Sequence, residues 1–164
     1  MRRIWLIFVL VSYVSFASVG DVRSQFPNIT SLQEINEHID NLKAENSPDA
    51  KAYLAALYFL KSREVKFPLT KLKFFNKGKR LLDEQINRKP LNIEYRYLRL
   101  LFQHQIPSFL KYNQFIKSDF KVFKEEFKNS LINSTFKIKM VNNLLLSDKI
   151  STDNRELLIK IKSD

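Results

Sequence analysis

The 164-residue chain contains no cysteine. That excludes disulfides and lipid attachment at a processed N-terminal cysteine. Stability has to come from packing. Glycine is almost as scarce, with Gly20 and Gly78 the only two. No glycine-rich loop is available to cradle phosphate, and no Gly-x-Ser-x-Gly elbow to present a serine. Histidine is limited to His38 and His104. Glu34 and His38 share a helix face at i, i+4, but one such pair is half a metal site, and nothing calls for a metal or any other cofactor. Strand-like alternation is nearly absent as well. With no catalytic motif in sight, the expectation is a protein that is not an enzyme.

What is present is aromatic and basic. Fourteen Phe and six Tyr supply bulky core material for a single domain. The formal charge is +11, carried by nineteen lysines against nine arginines. Such a surplus steers a protein toward anionic surfaces. The excess of lysine over the arginine fork that grips phosphate and carboxylate points instead to a solvated basic surface.

The first residues have the three parts of an export signal. Arg2 and Arg3 are followed by an apolar run from Ile4 to Phe16 and a small-residue exit through Ala17, Ser18 and Gly20. The run falls short of the roughly 20 residues that cross a bilayer as a helix. The expectation is a signal peptide over 1–17, with cleavage possible up to residue 20, an extended lead over 18–30 and a helical domain over 31–164. The destination would be periplasmic or secreted. Nucleic acid is then not an expected partner, and the sequons at Asn28 and Asn133 would matter only in a eukaryotic secretory route.

Helical spacing dominates the rest. Ser31 and Glu34 form a capping-box pattern ahead of Leu32, Ile35, Ile39 and Leu42. Ser47-Pro48 places a capping serine before a proline at the first helical position, opening a helix to about Val65 whose Ala52, Ala55 and Ala56 make a small-residue side. A third helix covers about Leu69 to Arg88, with Gly78 in its middle. A mid-helix glycine costs about 1 kcal/mol relative to alanine, so a close helix–helix contact is the expected reason for it. Its flank from Lys61 to Arg80 interleaves eight basic residues with Phe67, Phe74 and Phe75. The phenylalanines stand at core spacing, so this reads as a solvated helical face rather than a lipid or nucleic-acid surface, with membrane contact a lesser possibility.

After the Lys89-Pro90 break a fourth helix runs from about Asn92 to Gln105, and Pro107 stops it. Ser118 then reads as the cap of a fifth helix carrying Phe120, Phe123, Phe127 and Leu131. Ser134 or Thr135 opens a sixth, and Asp153 with Glu156 a short last one. The sum is an all-α, single-domain antiparallel bundle of about six to seven helices.

The second and third helices, with Pro90, Asn92 and Tyr95 after them, resemble one tetratricopeptide unit, implying antiparallel hairpins stacked through proline turns. The string Glu94-Tyr95-Arg96-Tyr97-Leu98-Arg99-Leu100, then Gln103, Pro107, Leu110, Tyr112 and Asp119, resembles small exported helical proteins of Bacteroidota. They carry an R-x-x-R-L-x-x-Q helix followed by a proline and a tyrosine turn. The resemblance spans Tyr53 to Asp119 and implies export and a helical fold, but no reaction. His104 departs from the acidic residue frequent there.

The most informative residues sit on that fourth helix. Ile93, Tyr97, Leu98, Leu100, Leu101 and Phe102 make it apolar around most of its girth, yet Arg96, Arg99 and Gln103 share one stripe. Guanidiniums on a largely buried helix need partners. One expectation is that Asp119, Glu94 or carbonyls freed at Pro107 satisfy them. The other is a cleft in which Arg96 and Arg99 grip a small anionic ligand, with Gln103 and Tyr112 as neutral hydrogen-bonding groups. Pairing of both arginines with internal carboxylates decides for the first. The favoured function is an interaction or scaffold module that holds a protein partner of the cell envelope in an apolar groove near Phe109 and Tyr112. The alternative is the anion binder.

Overall fold

The computed structural model describes residues 18–106 and 110–163. The expected signal peptide over 1–17, the Pro107 break and Phe109 lie outside them. The described residues form eight α-helices and no strand. They are α1 (Val19–Gln25), α2 (Leu32–Lys43), α3 (Pro48–Glu64), α4 (Pro68–Arg88), α5 (Ile93–Gln103), α6 (Ile116–Glu126), α7 (Ser134–Leu145) and α8 (Thr152–Ser163). Among these residues no helix is long and apolar enough to cross a membrane.

The first helix corrects the extended lead expected over 18–30. Ser18 and Asp21 cap α1 reciprocally, and Val19, Val22, Phe26 and Ile29 are buried in the same core as the later helices. The helix is only 7 residues long, shorter than the stretch over which helical periodicity can be read, so the segment read as an extended lead.

Two helices form the centre, α3 as well as the expected α5. Between Ala50 and Leu60 only Lys51 of α3 escapes burial. Helices α1, α2, α4 and α5 surround α3, and α5 carries the packing on to α6 and α7. Ser47 caps α3 by accepting the Ala50 amide at 3.0 Å. The alanine side admits α4 so closely that a Cβ on Gly78 would stand 2.8 Å from the Ala55 carbonyl oxygen. Alanine there would gain helix propensity but collide with backbone, which cannot yield as a side-chain end can.

Rings fill the space between. Phe59 stacks on Phe102 with centroids 4.6 Å apart, and Tyr112 meets both Phe59 and Phe75 at 5.8 Å. Each such pair adds about 0.5–1.5 kcal/mol beyond simple burial. The α5–α6 connection differs from expectation. A 3-10 turn, Asn113–Phe115, leads straight into α6 at Ile116. Ser118 lies inside the first turn, donating to the Phe115 carbonyl at 2.9 Å rather than capping. The helix ends at Glu126, so Leu131 is fully exposed and not part of its face.

Candidate functional site

Helix α5 starts at Asn92, whose side chain accepts the amides of Glu94 and Tyr95. That start sets which residues face α6. Arg96, Arg99 and Gln103 follow one another down the side turned to the first turn of α6, where Asp119 is 0 % exposed. Asp119 accepts four hydrogen bonds from it. Arg99 donates through Nε at 2.8 Å and Nη2 at 2.6 Å. Arg96 Nη1 donates at 2.7 Å and Gln103 Nε2 at 3.1 Å. The third nitrogen of Arg99, Nη1, donates to Asp83 of α4 at 3.0 Å, and the guanidinium lies 4.4 Å over the Phe115 ring. Arg96 spends Nε and Nη2 on the Pro90 carbonyl, at 3.1 and 2.8 Å.

Every nitrogen of both guanidiniums thus has an internal acceptor, and two carboxylates balance two cations. Burial works against the Arg99 charge, but the hydrogen bonds and fields of Asp119 and Asp83 outweigh it and raise its pKa. Tyr112 completes the cluster from the far side, its hydroxyl donating to Asp83 Oδ1 at 3.1 Å. Burial and then the Asp83 charge push that phenol well above its usual range. The cluster is a charge-balanced tie between α4, α5, α6 and the turn before α6, with Arg99, Gln103 and Asp119 buried and Asp83 and Arg96 at its partly exposed edge.

All five residues singled out in the sequence, Arg96, Arg99, Gln103, Tyr112 and Asp119, come together here. The expected partners are only partly right. Glu94 belongs to a different network, and the helping carbonyl among the described residues is that of Pro90. Asp83 was missed because it lies on α4, and no spacing within the sequence links it to the stripe on α5. Lys79 lies 5.4 Å over the Tyr112 ring. Tyr112 itself corrects the expected groove, since it is 0 % exposed and no surface residue.

A second network ties α1 to the core. The buried Glu94 carboxylate accepts the Tyr53 hydroxyl at 2.7 Å and Arg23 Nε and Nη2 at 2.6 and 3.0 Å. Burial raises the Glu94 pKa, while the bonds from Tyr53 and Arg23 hold it down. Arg23 also reaches Asp49 at 3.5 Å, which accepts from Tyr95. Arg23 and Glu94 border an open cleft of about 930 Å³ together with Lys139 and Phe136. Lys139 is anchored on the carbonyls of Arg23 and Ser24. Because α1 read as an extended lead, Arg23 carried no signal in the sequence.

The histidines lie apart. His38 Nε2 is 3.9 Å from Glu34 Oε1, and among the described residues no three His, Cys, Asp or Glu side chains gather as a metal site. His104 is buried against Phe120, and burial lowers its pKa.

The apolar concavity lies one turn from Tyr112. A cavity of about 550 Å³ is floored by Phe59, Phe75 and Phe102 and rimmed by Pro68, Leu69 and Leu72. Leu69 is 84 % exposed and Leu72 42 %. Phe67, placed with the core in the sequence reading, is 75 % exposed at the α3–α4 corner, while Phe75 is buried. Comparison with protein-family models, with curated proteins and with solved structures gives no match.

Proposed function

We propose that the chain is an exported, non-enzymatic interaction module of the cell envelope, holding its partner at the α3–α4 corner. The observation that carries this is the concavity beneath Leu69 and Leu72, where bulky apolar side chains face outward over an aromatic floor. A small domain leaves such a patch open mainly where something covers it. The closed pairing of Arg96 and Arg99 weighs against the anion binder, because an incoming carboxylate would have to displace the buried Asp119 from both guanidiniums.

Export rests on the leader-like residues 1–17 and on the resemblance of the Tyr53–Asp119 stretch to exported helical proteins of Bacteroidota. Tetratricopeptide-like stacking of the α3–α4 hairpin belongs to the same reading. Cleavage after Ala17 suits α1 better than cleavage after Gly20, which would remove the Ser18 cap and the buried Val19.

The test is fractionation of a bacterial host expressing the full chain. Wild type should sediment with isolated envelopes, and Leu69→Asp with Leu72→Asp should shift most of it to the soluble fraction without loss of helical circular dichroism. Equal partition of the two proteins would refute the docking face.

A further inference from the structure

The α3–α4 corner has a chemistry that narrows its partner. Phe67, Pro68 and Leu69 form an apolar tip, and Leu72 extends it along α4. From Val65 to Arg80 the chain carries Lys66, Lys71, Lys73, Lys77, Lys79 and Arg80 and no acidic residue. At 100° per residue, Leu69, Leu72, Lys73 and Arg80 fall within an arc of about 100° on α4, and all four are exposed. Lys66 is exposed on the α3 side of the tip, while Arg63 is paired with Glu64 at 3.2 Å. Bulky apolar groups at a protruding corner, ringed by cations, match the boundary of an anionic bilayer. The apolar tip enters the headgroup layer while lysines stay with the phosphates.

We infer that this corner docks on an anionic lipid surface, with Phe67, Leu69 and Leu72 inserted and Lys66, Lys73 and Arg80 against the headgroups. The inference rests on the docking reading above and names its partner. The sources of anionic charge are committed to bilayer lipid, and an acidic protein helix is the competing outcome.

The absence of cysteine makes the test direct, because Leu69→Cys creates a unique labelling site in the full chain. An environment-sensitive fluorophore at this position should shift to the blue and brighten several-fold on vesicles of phosphatidylglycerol and phosphatidylcholine. It should not respond to phosphatidylcholine alone, and molar salt should reverse the response. The same label at Ile159→Cys, exposed on α8, should stay unchanged. Charge reversal at Lys66 and Lys73 should weaken vesicle affinity by more than tenfold, since each cation near such a surface contributes about fivefold. Equal responses at both labels, or none at residue 69, would overturn the inference. A response at residue 69 to an acidic amphipathic peptide but not to vesicles would overturn it too, and would leave the docking face standing. If envelope sedimentation also proved indifferent to Leu69→Asp with Leu72→Asp, both readings would fall.

Discussion

Asp119→Ala should remove about 3–5 kcal/mol of unfolding free energy, the cost of breaking a buried ion pair by deleting one partner. That is a large part of the roughly 5–15 kcal/mol available to an ordinary domain. The reason is the number of donors left behind. Two nitrogens of Arg99, one of Arg96 and the Gln103 amide all converge on this carboxylate. Arg99 and Gln103 cannot turn to solvent, being 4 % and 2 % exposed around a carboxylate that is 0 % exposed, whereas Arg96 lies at the partly exposed edge. Urea unfolding followed by circular dichroism checks this, with the slope unchanged if the variant still unfolds in one step. Loss of less than about 1 kcal/mol would mean water already reaches the cluster.

Glu94→Ala should be the next most damaging change, at about 3 kcal/mol. It strands the Tyr53 hydroxyl, which is buried, and frees Arg23. The expected cost is below that of Asp119 because Arg23 is partly exposed and can rehydrate. The effect should be local as well as global. Helix α1 is held by the Arg23–Glu94 pair, by Val19 and Val22 in the core and by Lys139 on its final carbonyls. Amide hydrogen exchange should therefore accelerate first in Val19–Gln25 and leave α3 protected. Uniform acceleration through the molecule would count against a separate tether.

How far the fold could be read in advance follows from where its signals were local. Ser47-Pro48 opens α3 at the expected residue because cap and proline act within one turn. Gly78 was legible because a glycine in mid-helix needs a reason, and the Ala55 carbonyl supplies it. Helix α1 was not legible. Val19, Val22 and Phe26 span fewer than the roughly 11 residues over which helical periodicity can be read, so the segment passed for an extended lead. In the polar cluster, the stripe of Arg96, Arg99 and Gln103 followed from helix geometry alone, and Asp119 could be proposed from its place at the start of the next helix. Asp83 could not, because its choice of Arg99 over Lys79 depends on how α4 lies against α5. Residues that resembled a binding stripe in one dimension became an internally paired tie in three. The exposed corner, read as ordinary core phenylalanine and solvated lysine, was visible only once Phe67 was seen to face outward.

The claim under all of this is that the paired arginines hold the domain together and leave no room for a ligand. The melting temperature of the full chain, followed during titration with phosphate, sulfate and a uronic acid at constant ionic strength, tests it most directly. The account predicts no saturable rise that depends on Arg99. A saturable rise in the wild type, abolished in an Arg99→Leu variant that still folds, would contradict it.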